Sequence, residues 1–230
     1  MSFEALPERL AQVRAVIARL ASQPVTIVAV TKGFGADAVR AALAAGLADV
    51  GENRVQEALQ KQNEFGVRDQ GLGIRWHLIG HLQRNKAKLV PGRFTLVHSI
   101  DSLELATELD RRAQEAMRVL LQVNVAQETQ KDGCAPEEAP VLARQISALG
   151  KLRLEGLMTM APWTDDVEVQ RRAFRGLRVL RDTIKEEEGI WLPTLSMGMS
   201  GDYATAVAEG ATVIRLGTAL FGPREEKGET

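Results

Sequence analysis

The residue with the clearest chemical potential is Lys32, which follows an apolar run and precedes a glycine. Residues 25–30 read Val-Thr-Ile-Val-Ala-Val, and this β-branched run predicts a buried strand that ends just before Lys32. Partial burial lowers the pKa of a lysine, and the neutral amine can attack a carbonyl carbon to form a Schiff base. A lysine paired with a carboxylate at the rim of a sheet is the alternative, and position alone does not separate the two.

Two later predicted strands also end in residues that could bind a ligand. Ser200 and Gly201 form a turn between a strand and a helix, and Gly217 and Thr218 end the last strand. Backbone N–H groups and hydroxyls in such turns suit a phosphate. Each turn is a weak signal by itself, and Ser200 and Gly201 taken alone are more typical of a helix cap. The prediction therefore depends on both turns occurring together with Lys32.

Two further polar residues lie at or within predicted strands. Asn53 ends the second predicted strand, where it could donate to a ring hydroxyl or phenolate of a ligand, cap the next helix, or do both. Arg215 interrupts an otherwise apolar strand, and an arginine is costly to bury without a partner. The sequence leaves two partners open for Arg215, an interior carboxylate such as Asp49 or the ring nitrogen of a ligand.

The remaining reactive side chains give weaker signals. His77 and His81 are four residues apart, a spacing that would suit a metal-binding pair only if both residues lay on one helix. Because this stretch is predicted to be a strand and a turn, we expect no metal site. Hydrogen-bonded interior or rim positions are expected for these residues and for His98. Cys134 has no recognisable base partner and is not expected to be catalytic. We expect Met158 to serve mainly in core packing.

Strand and helix patterns alternate along the whole chain, which predicts parallel βα units. Eight units in this length favour a single (β/α)8 TIM barrel with an extra N-terminal helix over a doubly wound open sheet. In such a barrel the active residues gather at the carboxyl ends of the strands. The predicted strands are 25–30, 49–53, 75–80, 96–100, 118–125, 152–160, 194–198 and 213–217, and the predicted helices are 6–21, 36–45, 55–65, 102–116, 136–149, 167–187 and 200–209.

Composition limits the classes of function. The 230 residues carry a formal net charge of −1, which gives no support for a nucleic-acid or membrane partner. The single cysteine excludes an internal disulfide and fits a cytoplasmic protein. No linker or low-complexity segment divides the chain, so one domain over residues 1–230 is expected, with residues 224–230 as a frayed tail.

Several motifs together resemble the pyridoxal phosphate homeostasis protein family, which is itself similar to the N-terminal barrel of alanine racemase. They extend over nearly the whole chain in the family's order. The motifs are Val-Ala-Val-Thr-Lys at 28–32, Gly-Glu-Asn-Arg-Val-Gln-Glu at 51–57, Trp-His-Leu-Ile-Gly-His-Leu-Gln-Arg-Asn-Lys at 76–86, Val-His-Ser-Ile-Asp at 97–101, Gly-Leu-Met-Thr-Met at 156–160, Leu-Ser-Met-Gly-Met-Ser-Gly-Asp at 195–202 and Val-Ile-Arg-Leu-Gly-Thr-Ala-Leu-Phe-Gly at 213–222.

The resemblance implies a set of roles around pyridoxal 5'-phosphate (PLP). It implies a Schiff base between Lys32 and PLP, with Asn53 beside the ring and Arg215 facing the pyridine nitrogen. The resemblance further implies a phosphate site and a few secondary residues. The phosphate would be held by Ser200, Gly201, Gly217 and Thr218, and the secondary positions would be Lys131, His77 and Met158, with Lys131 matching a family lysine associated with cofactor exchange.

The resemblance also bears on whether the protein is a PLP carrier or a PLP-dependent enzyme. An arginine opposite the ring nitrogen disfavours its protonation and weakens the cofactor as an electron sink. A racemase needs a second acid–base group, supplied in alanine racemase by a tyrosine of a separate domain, and no such domain is recognised here. We therefore expect a monomeric PLP-binding protein of vitamin B6 homeostasis, which could supply PLP-requiring apo-enzymes. A PLP-dependent amino-acid racemase is the alternative, and an aldolase-type Schiff-base enzyme acting on a sugar phosphate is a third.

Overall fold

Eight parallel strands close into a barrel in the computed structural model, which describes residues 3–65, 73–128 and 132–223. Each strand pairs with the next along the chain, and β1 pairs with β8, so the open-sheet alternative is excluded. The strands are β1 (Thr26–Val30), β2 (Asp49–Glu52), β3 (Arg75–Leu78), β4 (Leu96–Ile100), β5 (Met117–Gln122), β6 (Leu152–Met158), β7 (Thr194–Ser196) and β8 (Val213–Leu216).

Helices surround the barrel, and α1 precedes the first strand as predicted. They are α1 (Leu6–Leu20), α2 (Ala36–Ala44), α3 (Val55–Phe65), α4 (Leu103–Arg112), α5 (Ala139–Ser147), α6 (Val167–Glu188), α7 (Tyr203–Ala208) and α8 (Thr218–Phe221). The (β/α)8 prediction with an extra N-terminal helix is confirmed. Two elements were not predicted, the short α8 and a 3-10 helix, Arg84–Leu89, that connects β3 to β4.

The sequence prediction extended several strands beyond their observed carboxyl ends. Strands β2, β3, β6, β7 and β8 each end one or two residues before the predicted boundary. Gly198 has φ of +95°, a left-handed conformation that ends β7 before this residue. Gly80 lies so close to the second loop that a Cβ there would be 2.4 Å from the carbonyl oxygen of Asn53. The chain therefore leaves the sheet at the positions where ligand-binding residues are expected.

Other helix boundaries also differ from the sequence prediction. The helix predicted at 102–116 ends at Arg112, because Ala113 is extended, with φ of −62° and ψ of +137°. The helix predicted at 200–209 begins at Tyr203, after a turn in which Asp202 Oδ1 accepts a hydrogen bond from the Met199 amide at 2.5 Å. Residues 224–230, expected to be a frayed tail, lie outside the described residues.

The buried hydrophobic residues form a large outer core, a small separate cluster of Val39, Val50 and Trp76, and a small cluster inside the barrel. The outer core lies between strands and helices and includes Leu6 and Leu10 of α1. Leu96, Leu120 and Met158 form the inner cluster. Successive residues of a strand face opposite sides, so the neighbours of these three residues belong to the outer core. The inner cluster fills only part of the interior, which also contains buried polar side chains such as His98 and Arg215.

Helix α6 shows how the outer layer is specified by sequence. Phe174, Leu177 and Ile184 form its buried face, Asp166 caps its first turn, and Gly189 ends it with φ of +69°. The carboxylate of Asp166 accepts hydrogen bonds from two backbone amides that a helix start otherwise leaves unpaired. Within the described part of the chain, no helix is long and apolar enough to cross a membrane.

Candidate functional site

Lys32 lies at the carboxyl end of the barrel, two residues after β1, and is half-buried. Its neighbours on both sides are held by glutamates. The hydroxyl of Thr31 donates to Glu52 Oε1 at 2.5 Å, and the amide of Gly33 donates to Glu57 Oε1 at 2.7 Å. The backbone that carries Lys32 is therefore fixed from both directions.

Lys61 of α3 joins these contacts into one buried cluster. Its ammonium group lies 2.5 Å from Glu52 Oε1, 3.0 Å from Glu57 Oε1 and 2.7 Å from the carbonyl oxygen of Thr31. Burial raises the pKa of Glu52 above its usual value, although Lys61 acts in the opposite direction. We call Thr31, Glu52, Glu57 and Lys61 the lysine-loop cluster, because together they hold the loop that carries Lys32.

The loops after β7 and β8 meet beside the end of β1. Ser200 Oγ accepts hydrogen bonds from the amides of Gly217 at 3.3 Å and Ala219 at 3.1 Å. A Cβ on Gly217 would lie 3.6 Å from the carbonyl oxygen of Val30, which shows how closely this loop approaches β1. The structure thus brings together Ser200, Gly217 and, between the two donating amides, Thr218. A Cβ built on Gly201 would meet no atom within 4 Å, so the space beside this residue is open.

Arg215 lies inside the barrel and is 3% exposed. Its Nη1 donates to Ser196 Oγ at 2.7 Å, and its Nη2 donates to the carbonyl oxygen of Thr159 at 3.0 Å. Burial lowers the pKa of Arg215 to about 10, which leaves the guanidinium charged at neutral pH, and the negative charge of Asp202 acts against this lowering. The interior carboxylate Asp49, one of the two partners considered for Arg215, does not contact it directly.

Asp49 instead connects to Arg215 through three intervening side chains. Asp49 Oδ1 lies 3.0 Å from His77 Nε2, and His77 Nδ1 lies 2.9 Å from His98 Nε2. His98 Nδ1 lies 2.8 Å from Ser196 Oγ, which accepts from Arg215. We call these five residues the interior chain. It crosses the barrel through β2, β3, β4, β7 and β8.

The two ends of the interior chain carry opposite charges. Burial alone would raise the pKa of Asp49, but hydrogen bonds from His77 and Arg75 outweigh burial and lower the pKa to about 2. Burial lowers the pKa of His98 well below its usual value, and the positive charge of Arg215 lowers it further. His98 is therefore a neutral imidazole at physiological pH.

The other residues singled out in the sequence occupy separate places. Asn53 is half-buried in the loop after β2, and Met158 packs in the inner cluster as expected. His81 is at the rim, 3.4 Å from Asp101, whereas His77 is interior. The thiol of Cys134 is buried, and burial raises its pKa to about 12, which disfavours a reactive thiolate. Lys131 lies outside the described residues.

Several residues of the site were not identified as such from the sequence. His98 was expected only to be a hydrogen-bonded residue, and Ser196 was not considered separately. Both are polar residues that alternate with apolar ones along buried strands, which is the available signal. The four-residue spacing of Glu57 and Lys61 on a helix could have indicated an ion pair. Their link to Thr31 depends on tertiary packing.

Comparison with known proteins places the chain in a family. The model of the alanine racemase N-terminal domain family matches residues 4–225. The pyridoxal phosphate homeostasis protein of Pseudomonas aeruginosa is 43% identical over 229 residues, which cover 96% of each chain. The protein of the same name from Escherichia coli K12 is 39% identical over 237 residues, covering 96% of this chain and 97% of its own.

This chain belongs to the pyridoxal phosphate homeostasis protein family. The resemblance inferred from the motifs is confirmed. PipY of Synechococcus elongatus PCC7942 has been solved without PLP and with PLP bound. The structure without PLP has a TM-score of 0.84 and 39% identity and covers 94% of this chain and all of its own; the structure with PLP bound has a TM-score of 0.83.

Alanine racemase shares the fold of this family at much lower identity. The enzyme of Clostridium difficile 630, in complex with cycloserine, has a TM-score of 0.75 and 17% identity. The match covers 96% of this chain and 61% of the racemase chain. At this identity the similarity establishes the barrel fold alone.

Loss of the ammonium group in the lysine-loop cluster should be costly. Lys61→Met leaves the Glu52 carboxylate buried without its counter-charge, and we expect a loss of about 3–5 kcal/mol in the free energy of unfolding measured with urea. Glu52→Gln combined with Lys61→Met should recover much of this loss, because no buried charge remains. An equal loss in the single and double variants would contradict this account.

The buried neutral His98 should make the protein less stable in mild acid. In the unfolded chain a histidine binds a proton near pH 6.5, whereas folded His98 stays neutral. The unfolded state then binds more protons, so stability falls by about 1.4 kcal/mol per pH unit below that value. We expect a loss of about 2 kcal/mol between pH 7 and pH 5 from this residue.

Urea unfolding of the wild type and of His98→Gln at both pH values measures that contribution. The variant lacks the titrating group in both states, so its stability should depend less on pH. The expected change lies above the range in which Asp49 titrates, because the lowered pKa of that carboxyl affects stability only in stronger acid. Identical pH dependence in the two proteins would show that His98 is not held neutral.

Proposed function

We propose that this protein binds PLP through Lys32 and serves as a PLP carrier in vitamin B6 homeostasis. The observation that carries the proposal is the position of Lys32 at the end of β1, next to the meeting loops after β7 and β8. PipY, a relative at 38% identity, has been solved with PLP bound. In the proposed step the amine nitrogen of Lys32 adds to the aldehyde carbon, a C=N bond forms, and the carbonyl oxygen leaves as water.

The donor set around Lys32 fits a phosphorylated pyridine aldehyde. Ser200 and Thr218 offer hydroxyls, and the glycines at 201 and 217 let the backbone approach an anion closely. Loops after the seventh and eighth strands are the usual phosphate position in this fold. We assign the phosphate to these loops and place Asn53 beside the ring.

The presence of Arg215 in the barrel interior favours a role as PLP carrier over catalysis that uses the PLP ring to withdraw electrons. When bound, PLP supplies an aldehyde and an electron-accepting ring, and the ring accepts electrons best when a carboxylate keeps its nitrogen protonated. The hydrogen-bond partners of Arg215 within the described structure are Ser196 and Thr159, so its charge is not neutralised by direct contact with a carboxylate. We propose that Arg215 faces the ring nitrogen and disfavours its protonation.

The position of Tyr203 also supports the carrier proposal. It is the single tyrosine of the sequence. It begins α7 and packs against the outer core. A second acid–base group for racemisation must reach the reacting carbon of the substrate. Tyr203 follows the proposed phosphate loop, so its position does not favour that role.

The proposal extends to where the protein acts and what it serves. We infer that the protein is a monomer in the cytoplasm and that it holds PLP for PLP-requiring apo-enzymes. Its single cysteine is buried and forms no disulfide, in keeping with a reducing compartment. The names of the relatives support the homeostasis role. His77, Met158 and Lys131 are proposed as secondary residues, since the first two lie in the barrel interior.

Replacing Lys32 should abolish covalent PLP binding. After incubation with PLP and removal of free cofactor, the wild type should show the visible absorbance band of a Schiff base, and Lys32→Ala should not. Lys88→Ala, which changes an exposed lysine of the 3-10 helix, is the matched control and should retain the band. An undiminished band in Lys32→Ala would refute the assignment.

A racemisation assay separates the carrier from the alternative enzyme. PLP-loaded protein is incubated with L-alanine and with other L-amino acids, and chirality is followed by circular dichroism or chiral chromatography. We expect no turnover above that of free PLP, because the position of Tyr203 at the start of α7 does not favour a role as second acid–base group. Sustained turnover that is lost in Lys32→Ala would support the racemase instead.

A further inference from the structure

The interior chain contains more hydrogen-bonded residues than are needed to hold Arg215 in the barrel. Arg215 already donates to the carbonyl oxygen of Thr159. Its second donor is joined through Ser196, His98 and His77 to Asp49, across the barrel interior. Ser196 and His98 are fully buried.

The two ends of the chain fix the direction of its hydrogen bonds. A guanidinium group can only donate, so Ser196 Oγ must accept from Arg215. An ionised carboxylate can only accept, so His77 must carry a proton on Nε2, facing Asp49. The positions of the protons between these ends follow from matching each donor to one acceptor.

One arrangement satisfies every contact with both rings neutral. The Ser196 hydroxyl donates to His98 Nδ1, His98 Nε2–H donates to His77 Nδ1, and His77 Nε2–H donates to the carboxylate. If His77 instead carried protons on both nitrogens, the two central bonds would reverse. Ser196 Oγ would then accept from both His98 and Arg215, and its own hydrogen would have no acceptor within the chain.

We propose that Ser196 and His98 are positioning residues that lock Arg215 in place. They belong to a run of hydrogen bonds that ends at the carboxylate of Asp49, which is itself paired with Arg75. A charge buried without compensation is strongly destabilising, and hydrogen bonds that share a direction reinforce one another. Two fixed donors, one to Ser196 and one to Thr159, define the plane of the guanidinium. The consequence for ligand affinity rests on the proposed function, whereas the order of protons does not.

The proton order can be read in the protein without cofactor. The sequence holds three histidines, and His81 at the rim lies outside the chain. Nitrogen-15 NMR of histidine-labelled protein at about pH 7 distinguishes the two neutral tautomers from the imidazolium form. We expect neutral Nε2–H forms for both His77 and His98.

Ser196→Ala breaks the chain between Arg215 and His98. The NMR signal of His98 Nδ1 should shift in this variant because that nitrogen loses its hydrogen-bond donor. Ser99→Ala is the matched control, since Ser99 is also fully buried and its hydroxyl has no hydrogen-bond partner in the described structure. Ser196→Thr keeps a hydroxyl and should restore the wild-type signal.

PLP titration of the same variants tests the positioning role. We expect Ser196→Ala to weaken PLP binding by about tenfold, as expected for a lost hydrogen bond to a charged group, and Ser99→Ala to bind within about twofold of the wild type. An Nδ1–H tautomer or an imidazolium at His77 or His98 would overturn the proton order. Equal PLP affinity in Ser196→Ala and Ser99→Ala, with the expected tautomers, would overturn the positioning role. A wild type that binds no PLP would refute the proposed function, and the NMR result would still decide the proton order.

Discussion

The site depends on the pairing of the first strand with the last. Because β1 lies beside β8 in register, with Val28 opposite Arg215, the barrel is closed and Lys32 and Gly217 leave neighbouring strand ends. Residues separated by most of the chain thereby meet at one rim. An open sheet would leave β1 and β8 unpaired with each other, and the loop that carries Lys32 would then lie apart from the loop that follows β8.

A second constraint is the disposition of charge inside the protein. The interior holds Arg215, and the space between barrel and helices holds Lys61, both nearly inaccessible to water. Lys61 is compensated by direct contact with Glu52. The hydrogen-bond partners of Arg215 in the described structure are instead the hydroxyl of Ser196 and the carbonyl oxygen of Thr159, and the negative charge of Asp202 also acts on its guanidinium. The direct contact with Lys61 fixes the loop that carries Lys32, whereas the guanidinium of Arg215 is held by neutral hydrogen-bond acceptors.

The sequence was sufficient for the architecture and for most of the rim. Alternating β-branched runs and amphipathic helices specified the order of elements, and Lys32, Ser200 and Gly217 lie where strand ends were expected. The ends of the strands were less predictable, because close packing between loops, as at Gly80, ends the ladder early. Local sequence carries little information about such contacts.

The interior chain marks the limit of prediction. Asp49 and Arg215 were correctly placed inside the barrel, but direct contact between them was one of only two possibilities considered. Their connection through His77, His98 and Ser196 depends on the register of five strands, and a shift of one residue would turn these side chains outward. Register of this kind is set by the whole barrel and cannot be read from any single segment.

The covalent role of Lys32 can be tested most directly by locating the modified residue. PLP-loaded protein is reduced with borohydride, which converts the C=N bond into a stable amine linkage, then digested and mapped by mass spectrometry. The account predicts about one pyridoxyl group per chain, attached to Lys32. A label found on other lysines, such as Lys131, with Lys32 unmodified, would contradict it.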